Sequence, residues 1–240
     1  MGIREWALSI NPEDYDSIVL SPEEILQWFG DLDAAWMHDG DPKNPHAELT
    51  SGKCSNGFFD CMRVLCYPNL CEILARQLAK RFSEDKIVAV VKPKVDWVVS
   101  SSYAAITFGH EVAKALGAKF GFTEKDPTDP KKQKQVWQRF TIPKDSNIFQ
   151  VEELITTSGT FHEVRRAVKE GNSEPVNFLP VVGTLIHRPP ELPVDYDGTT
   201  VVSLVERQIW AVDQKDCSLC AAGSPRYRPK THWKELTGKA

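Results

Sequence analysis

Short apolar runs alternate with amphipathic segments along much of the chain. The run Val95–Val99 is followed by the small-residue turn Ser100–Tyr103 and then, over 104–116, by apolar residues at helical spacing. The run Ile148–Val151 leads in the same way, through two acids and a polar turn, into a helical pattern that ends at Gly171. These patterns predict two strand–turn–helix units. Two such units favour a parallel α/β sheet with right-handed crossovers, in which ligands bind beyond the carboxyl ends of the strands.

Capping signals and periodicity predict further elements on both sides of these units. The sequence Ser21-Pro22-Glu23-Glu24 has a hydroxyl cap, a proline and an acid in the order typical of a helix start. The remaining predicted elements are an amphipathic helix over 69–85 and strands over 120–122, 176–186 and 199–205. Residues 1–47 are expected to form an N-terminal extension, and residues 207–240 a C-terminal tail.

Composition and charge exclude several classes of protein. The 240 residues are 41% hydrophobic, which is enough for a packed core, and the formal net charge is −4. This charge gives no global basic field for nucleic acid, and no apolar run approaches the roughly 18 residues of a membrane span. The N-terminal residues lack the apolar core of a secretory signal. Six cysteines without such a signal predict the cytoplasm, where they would be thiols or metal ligands rather than disulfides.

The turn after the second run carries the candidate chemistry. Two acids are followed by a turn of hydroxyl residues and glycine: Glu152 and Glu153, then Thr156, Thr157, Ser158, Gly159 and Thr160. The N–H groups of such a turn at a helix N-terminus point at one spot, where the helix dipole also favours an anion. The two carboxylates suit the hydroxyls of a sugar or a Mg²⁺ ion. The pattern indicates a site for a phosphorylated sugar, although an ordinary strand–turn–helix corner with surface acids would have the same sequence.

This order of apolar run, two acids and Thr- and Gly-rich turn resembles the ribose-phosphate motif of type I phosphoribosyltransferases. The copy departs from that motif in two places. The acids, usually Asp-Asp or Glu-Asp, are Glu152 and Glu153, and the third turn position, usually Gly, is Ser158. The resemblance implies that the two acids hold the ribose hydroxyls of phosphoribosyl pyrophosphate, directly or through Mg²⁺, and that Thr156–Thr160 bind the 5-phosphate.

A second segment, 48–60 (E-L-T-S-G-K-C-S-N-G-F-F-D), resembles the signature of the orotate phosphoribosyltransferases. The matching residues are Leu49, Ser51, Gly52, Ser55, Phe58 and Phe59. Thr50 replaces the lysine usual in that family, and Lys53 stands where arginine is usual. The resemblance implies that Phe58 and Phe59 lie near a pyrimidine base, whereas a turn into an edge strand is the purely structural interpretation.

Three more features occupy positions expected of that family. The turn Ser101-Ser102-Tyr103 corresponds to its pyrophosphate loop, although Ala104 stands where a second lysine is usual. Lys125 matches the lysine that opens a mobile lid, and Arg188 corresponds to an arginine that contacts the base. Further lysines of the lid segment are Lys131, Lys132 and Lys134. A hydroxyl-rich turn, a solvated loop and a surface arginine are the structural alternatives.

The resemblance covers roughly 48–188 and implies a Rossmann-like parallel sheet with a small N-terminal hood. The hood would be 48–68, the start of a main domain over 48–206. The implied activity is transfer of ribose 5-phosphate between phosphoribosyl pyrophosphate and a nitrogenous base, with a pyrimidine such as orotate expected, in nucleotide biosynthesis or salvage. The predicted catalytic residues are Lys125, Glu152 and Glu153. The predicted cofactor is Mg²⁺, and the predicted assembly is a homodimer. The two missing lysines leave open a non-catalytic regulator of the same fold that senses phosphoribosyl pyrophosphate or nucleotides, or a transferase for an unusual acceptor.

The C-terminal tail contains a Cys-x-x-Cys knuckle, Cys217 and Cys220. Such a knuckle supplies two thiolates, whereas a tetrahedral structural zinc needs four ligands. Cys66 and Cys71, which flank a Pro-Asn turn, are the candidate partners. The hypothesis is a zinc-binding tail, with free thiols or a thioredoxin-like redox pair as the alternatives.

Overall fold

The structure, a computed structural model, describes residues 2–131, 133–192, 194 and 196–238. The helices are α1 (Ile3–Ser9), α2 (Pro22–Asp31), α3 (Met62–Leu65), α4 (Pro68–Glu84), α5 (Lys86–Val91), α6 (Ala105–Leu116), α7 (Gly159–Gly171), α8 (Ser218–Ala221) and α9 (Trp233–Thr237). The strands are β1 (Ala35–Met37), β2 (His46–Glu48), β3 (Cys54–Ser55), β4 (Gly57–Phe59), β5 (Trp97–Ser100), β6 (Lys119–Phe122), β7 (Glu124–Lys125), β8 (Gln135–Val136), β9 (Asn147–Ile155), β10 (Asn177–His187), β11 (Thr200–Glu206), β12 (Ala211–Val212) and β13 (Arg226–Tyr227). Lys132, one of the predicted lid lysines, lies outside the described residues.

Five of these strands form a central parallel sheet in the order β11-β10-β9-β5-β6. This arrangement confirms the predicted α/β fold class. Each of the two strand–turn–helix units is present, as β5 followed by α6 and as β9 followed by α7. β9 lies in the middle of the sheet, and it extends beyond the predicted apolar run to include both acids.

The side chains of β9 alternate between two packed faces, as the pleat of a strand requires. Phe149 packs in the larger core with α4 and α6, and its ring lies 4.3 Å from that of Phe82. Ile148 packs on the other face with residues of α7. Each fully buried side chain of this size contributes roughly 1.5–3 kcal/mol to folding. The alternation continues through the acids, so that Glu152 and Glu153 leave the strand on opposite faces.

α2 begins with the predicted capping box. The Ser21 Oγ accepts a hydrogen bond from the Glu24 N–H at 3.2 Å, while the Glu24 carboxylate accepts the Ser21 N–H at 2.8 Å. Both donors would otherwise lack a partner within the helix. The predicted helix over 69–85 is α4, which starts at Pro68, where a missing N–H costs nothing.

β10 is irregular where its sequence carries a proline and a glycine. Pro180 has no N–H to donate, and the pairing with β9 shifts between Phe178 and Val182. At Gly183 an added Cβ would lie 2.6 Å from Cζ of Phe149, so that the ring occupies the space of a side chain. The proline therefore coincides with the shift in pairing to β9, and the glycine leaves room for the Phe149 ring.

A smaller sheet joins residues 46–55 to the C-terminal tail. Its order is β12-β3-β2-β13, and β1 pairs separately with β4. β13 runs parallel to β2, and β12 runs antiparallel to β3. Strands of the C-terminal tail thus share this sheet with strands of residues 46–55. We refer to β1–β4 together with the turn at 49–53 as the hood, which begins at Ala35 and so differs in its bounds from the predicted hood of 48–68.

The N-terminal residues pack into the main core, to which they contribute Ala7, Ile25 and Phe29. Among the described residues, none of the helices combines the length and the apolar character needed to cross a bilayer.

Candidate active site and metal centre

The predicted phosphate turn lies between the carboxyl end of β9 and the start of α7. Ser158 is the N-cap residue of α7, and its side chain makes no capping hydrogen bond. The N–H groups of the first turn therefore have no side-chain acceptor from the cap residue, and a helix start of this kind favours a bound anion.

A cavity of about 870 Å³ adjoins this turn. It is lined by Thr157, Gly159 and Thr160 from the predicted phosphate site, and by Lys125, Asp129, Gln133, Lys134, Glu163 and Arg166. Lys125 comes from β7, the first strand of an antiparallel hairpin with β8. The stretch predicted as a charged loop thus contains a hairpin, and this hairpin brings lysines to the phosphate turn. Lys134 pairs with Asp126 at 3.3 Å and Arg166 with Glu163 at 2.6 Å, whereas Lys125 has no ion pair among the described residues. Lys125 is therefore the cation of this cavity that a phosphate group would meet.

Glu152 is buried within β9. It is 2% exposed and accepts hydrogen bonds from Ser101 Oγ at 2.5 Å and from Gln150 Nε2 at 3.1 Å. Burial, with a smaller contribution from Glu153, raises the pKa of Glu152 to about 8. Glu152 is therefore largely protonated at neutral pH, and its contacts fix the turn Ser101-Ser102-Tyr103 against β9.

Glu153 lies on the other face of β9 and lines a second cavity, of about 440 Å³. Burial raises the pKa of Glu153, and the nearby Lys125 ammonium opposes the rise. The two acids that are adjacent in the sequence therefore have different surroundings. Glu153 is the one whose carboxylate can reach a ligand in this cavity.

The same cavity contains the residues predicted to contact the base. Its lining includes Phe58, Phe59 and Arg188, together with Thr156 of the phosphate turn. Phe59 is 5% exposed and packs on Phe29 in the core, with ring centroids 5.7 Å apart. Phe58 is only partly buried and offers the more accessible ring.

Arg188 has a donor free for a ligand. Its Nε atom is buried, yet it has no hydrogen-bond partner among the described residues. Burial lowers the pKa of the Arg188 guanidinium, which nevertheless stays protonated in proteins. A buried unpaired donor at the wall of a cavity suits the carbonyl or carboxylate oxygen of a ligand.

The predicted pyrophosphate loop follows β5. Ser102 Oγ lies 3.4 Å from the side-chain oxygen of Gln135 on β8, so the loop contacts the hairpin that carries Lys125. Tyr103 is 74% exposed, and the peptide bond Ser102–Tyr103 is cis. The Ser101 hydroxyl is bonded to Glu152, so Ser102 is the serine of this loop that contacts the hairpin.

A second cluster of functional side chains lies between the hood and the C-terminal tail. Its members are His46, Cys54, Cys217 and Cys220, whose ligand atoms all lie within 4.8 Å of one another. The His46 Nε2 atom is 3.3 Å from Cys220 Sγ and 3.7 Å from Cys217 Sγ, and Cys54 Sγ is 3.5 Å from Cys220 Sγ. Four N and S donors at these separations form a candidate metal centre.

Hydrogen bonds fix the tautomer of His46. Its Nδ1 atom lies 2.8 Å from Ser224 Oγ, and that hydroxyl donates to the Asn44 carbonyl oxygen at 2.6 Å. Because the hydroxyl proton points to Asn44, the Ser224 oxygen accepts from an Nδ1–H group. The unprotonated Nε2 atom is then the one that contacts Cys217 Sγ and Cys220 Sγ, as in a metal-ligating histidine with a supporting hydrogen bond.

The prediction that Cys66 and Cys71 complete this centre is wrong. Cys66 is exposed, and its thiol contacts the Arg63 carbonyl oxygen at 3.5 Å. Cys71 is buried in α4. Pairing of β2 and β3 with the tail strands brings His46 and Cys54 to the knuckle instead.

Other residues of these cavities were not assigned to a site from the sequence, although Lys134 is one of the lysines of the predicted lid. Lys134 and Arg166 join the phosphate cavity, and Lys230 of the tail joins the base cavity. Lys134 lies in the segment predicted as a lid, so its charge was a usable signal. Arg166 and Lys230 are ordinary surface cations in the sequence, and only the fold brings them to the cavities.

Comparison with known proteins agrees with this architecture. The solved orotate phosphoribosyltransferase of Aeropyrum pernix has a TM-score of 0.53 at 14% identity, and the match covers 76% of this chain and 93% of that one. The corresponding structure from Mycobacterium tuberculosis has a TM-score of 0.52 at 14% identity, over 77% of this chain and 95% of the other. These likenesses show that the fold is that of type I phosphoribosyltransferases.

The curated relatives identify the family. An orotate phosphoribosyltransferase of Caldicellulosiruptor saccharolyticus is 30% identical over 210 residues, covering 88% of this chain and 97% of the relative. One from Caldanaerobacter subterraneus is 28% identical over the same length and coverage. No family model matches the chain. The chain belongs to the orotate phosphoribosyltransferase family.

Proposed function

We propose that this protein transfers ribose 5-phosphate between phosphoribosyl pyrophosphate and orotate, in pyrimidine nucleotide biosynthesis. The observation that carries the proposal is the composition of one cavity, of about 440 Å³. It combines Glu153 and Thr156 of the ribose-phosphate motif with Phe58 and Arg188 of the predicted base site. A sugar and a planar base joined in one product would occupy neighbouring parts of such a cavity.

Each group has a role that follows from its chemistry. The N–H groups of 157–160 and the hydroxyls of this turn would bind the 5-phosphate. The Glu153 carboxylate would accept hydrogen bonds from the ribose hydroxyls. Arg188 would donate to the oxygen atoms of the base, whose ring would pack against Phe58. Glu152, which is buried, would act by positioning Ser101 and the pyrophosphate loop rather than by touching the sugar.

The transfer depends chiefly on electrostatics. As the bond to pyrophosphate breaks, positive charge develops on the ribose and negative charge on the leaving group. Fixed charges around these positions lower the barrier because they do not have to reorganise. Lys125 would stabilise the departing pyrophosphate, and the β7–β8 hairpin would exclude water from the reacting carbon.

Mg²⁺ is the cofactor that suits this donor set. Carboxylate and hydroxyl oxygens are the ligands it prefers, and Glu153 supplies a carboxylate beside the expected pyrophosphate. When bound, Mg²⁺ would neutralise charge on the pyrophosphate as it leaves.

We propose that the second metal is a structural Zn²⁺ bound by His46, Cys54, Cys217 and Cys220. Three thiolates and an imidazole form one of the usual tetrahedral zinc sets, and a closed set of four leaves no position for substrate. Metal analysis of the purified protein should give about one zinc per chain. No zinc in protein prepared without chelator would return the cluster to free thiols.

The assembly and the compartment belong to the same proposal. We infer a homodimer from family resemblance, and light scattering at several concentrations tests it. We infer the cytoplasm because a site built from three thiolates needs a reducing compartment. Fractionation of cells tests this second inference.

A panel of bases tests the activity. Pyrophosphate release is measured with phosphoribosyl pyrophosphate, Mg²⁺ and, in separate reactions, orotate, uracil, adenine and hypoxanthine. Release that requires orotate is the expected result. Binding of phosphoribosyl pyrophosphate without release for any base would instead support the regulator, and release with another base alone would support a transferase for a different acceptor.

A further inference from the structure

The C-terminal tail forms one wall of the base cavity. Its turn at 228–231 brings Lys230 to the same lining as Phe58, Glu153 and Arg188. The side chain of Lys230 is exposed, and it makes no hydrogen bond or ion pair within the described part of the chain. A cation thus stands at the cavity without a partner from the protein.

The turn that carries Lys230 is held firmly on its N-terminal side. β13 pairs in parallel with β2 of the hood. Glu48 at the end of β2 forms ion pairs with Arg226 at 3.1 Å and with Arg228 at 2.8 Å. The candidate zinc centre adds a second connection between β2 and the tail, through His46. The neighbouring arginines are therefore used in fixing the turn, whereas Lys230 is not.

The turn is also held on its C-terminal side. The N–H groups of Thr231 and His232 both donate to the Arg228 carbonyl oxygen, at 3.1 and 2.8 Å. Trp233 of α9 packs edge-on against Phe58, with ring centroids 6.3 Å apart, and this contact fixes α9 against the hood. The position of Lys230 relative to the base cavity is therefore set by structure on both sides.

Acidic side chains in the lining of the base cavity make a cation there useful for binding an anionic base. Asp60 and Glu153 bring negative charge, which would repel an anionic base. Thr50 of the hood and Ala104 at the start of α6, which line the same cavity, have no charge to offset it. Arg188 is one cation, and Lys230 is a second, supplied from a distant part of the chain.

We propose that Lys230 binds the anionic substituent of the base and sets the preference for an acidic pyrimidine over a neutral one. The inference rests on the proposed function. The cation comes from the tail, so that the hood and the candidate zinc centre position a specificity-determining residue. The ligand group is a carboxylate, because orotate differs from uracil by that group alone.

Two nucleotides that differ only by the carboxylate test the inference directly. Calorimetry compares the binding of orotidine 5′-phosphate and uridine 5′-phosphate to the wild type and to Lys230→Ala. The variant should bind orotidine 5′-phosphate about tenfold more weakly, the effect of losing one charge-assisted hydrogen bond, with uridine 5′-phosphate unchanged. An unchanged ratio of the two affinities would overturn the inference.

Matched variants separate this role from a general effect of charge. Lys234, which is exposed on α9 and does not line the cavity, serves as the control, and Lys234→Ala should leave both affinities unchanged. Lys230→Arg should restore most of the lost affinity. If the wild type bound orotidine 5′-phosphate but released no pyrophosphate with any base, the proposed function would fail while the affinity ratio still decided the role of Lys230.

Discussion

The buried carboxyl group of Glu152 should make the stability of the protein fall as pH rises. Its pKa is raised from 4.5 to about 8 in the folded chain, chiefly by burial. Between these values the folded state holds a proton that the unfolded state has released, so stability is lost with increasing pH. The slope is at most about 1.4 kcal/mol per pH unit, and the loss between pH 5.5 and 8 is therefore up to roughly 3 kcal/mol. Glu152→Gln removes the titration, while its amide oxygen can still accept from Ser101.

Denaturant unfolding of the ligand-free protein measures this effect. The free energy of unfolding is determined at pH 5.5, 7 and 8 for the wild type, for Glu152→Gln and for Glu174→Gln, a control acid on the surface. The difference between the wild type and Glu152→Gln should change in favour of the variant as pH rises, because other titrating groups cancel in that difference. The control should follow the wild type. Parallel curves for all three proteins would refute the assignment of a proton to Glu152.

Three further variants test the cavity, the metal centre and the core. Glu153→Gln should weaken the binding of phosphoribosyl pyrophosphate by about tenfold in calorimetry, from the loss of a charged hydrogen-bond acceptor, with little change in melting temperature; a lower melting temperature with unchanged binding would indicate a scaffold role. Cys220→Ser should lose zinc and melt at a lower temperature, whereas Cys66→Ser should keep both, and equal zinc content in the two variants would contradict the assigned ligands. Gly183→Ala should cost roughly 1–3 kcal/mol in denaturant unfolding because its Cβ would lie 2.6 Å from a phenylalanine ring, while Gly30→Ala, where nothing lies within 4 Å, should cost none. Equal stability of these two glycine variants would contradict the packing described around β10.

Local periodicity was enough to predict the elements that carry the phosphate turn. The apolar run of β9 and the helical spacing of α7 are properties of consecutive residues, and so is the capping box at Ser21. The presence of two strand–turn–helix units in the sequence also favours a parallel sheet. The predictions of strands and helices are confirmed, since each depends on residues close in the chain. The parallel sheet is confirmed by the pairing of β5 with β9, which lie far apart in the sequence.

The sequence did not separate the roles of the two adjacent acids. Glu152 and Glu153 were predicted to act together on the ribose, but a strand sends neighbouring side chains to opposite faces. The extent of β9 decides this, since the acids would lie together only in a turn. The prediction ended the strand at Val151, whereas the strand continues to Ile155.

The metal centre shows what a single sequence cannot supply. The knuckle Cys217–Cys220 was recognisable because its spacing is local. Its partners were not, because His46 and Cys54 reach it only through pairing of the hood strands with the tail. Cys66 and Cys71 flank a local turn, which makes them the candidate partners from the sequence alone, but the side chain of Cys71 is buried in α4.

The central claim is that the corner between β9 and α7, with the lysine of the β7–β8 hairpin, binds a phosphorylated pentose. Calorimetric titration of phosphoribosyl pyrophosphate into the Mg²⁺-containing protein tests it most directly. We predict binding at one site per chain that Lys125→Ala weakens. The absence of binding by the wild type, for phosphoribosyl pyrophosphate and ribose 5-phosphate alike, would contradict the account.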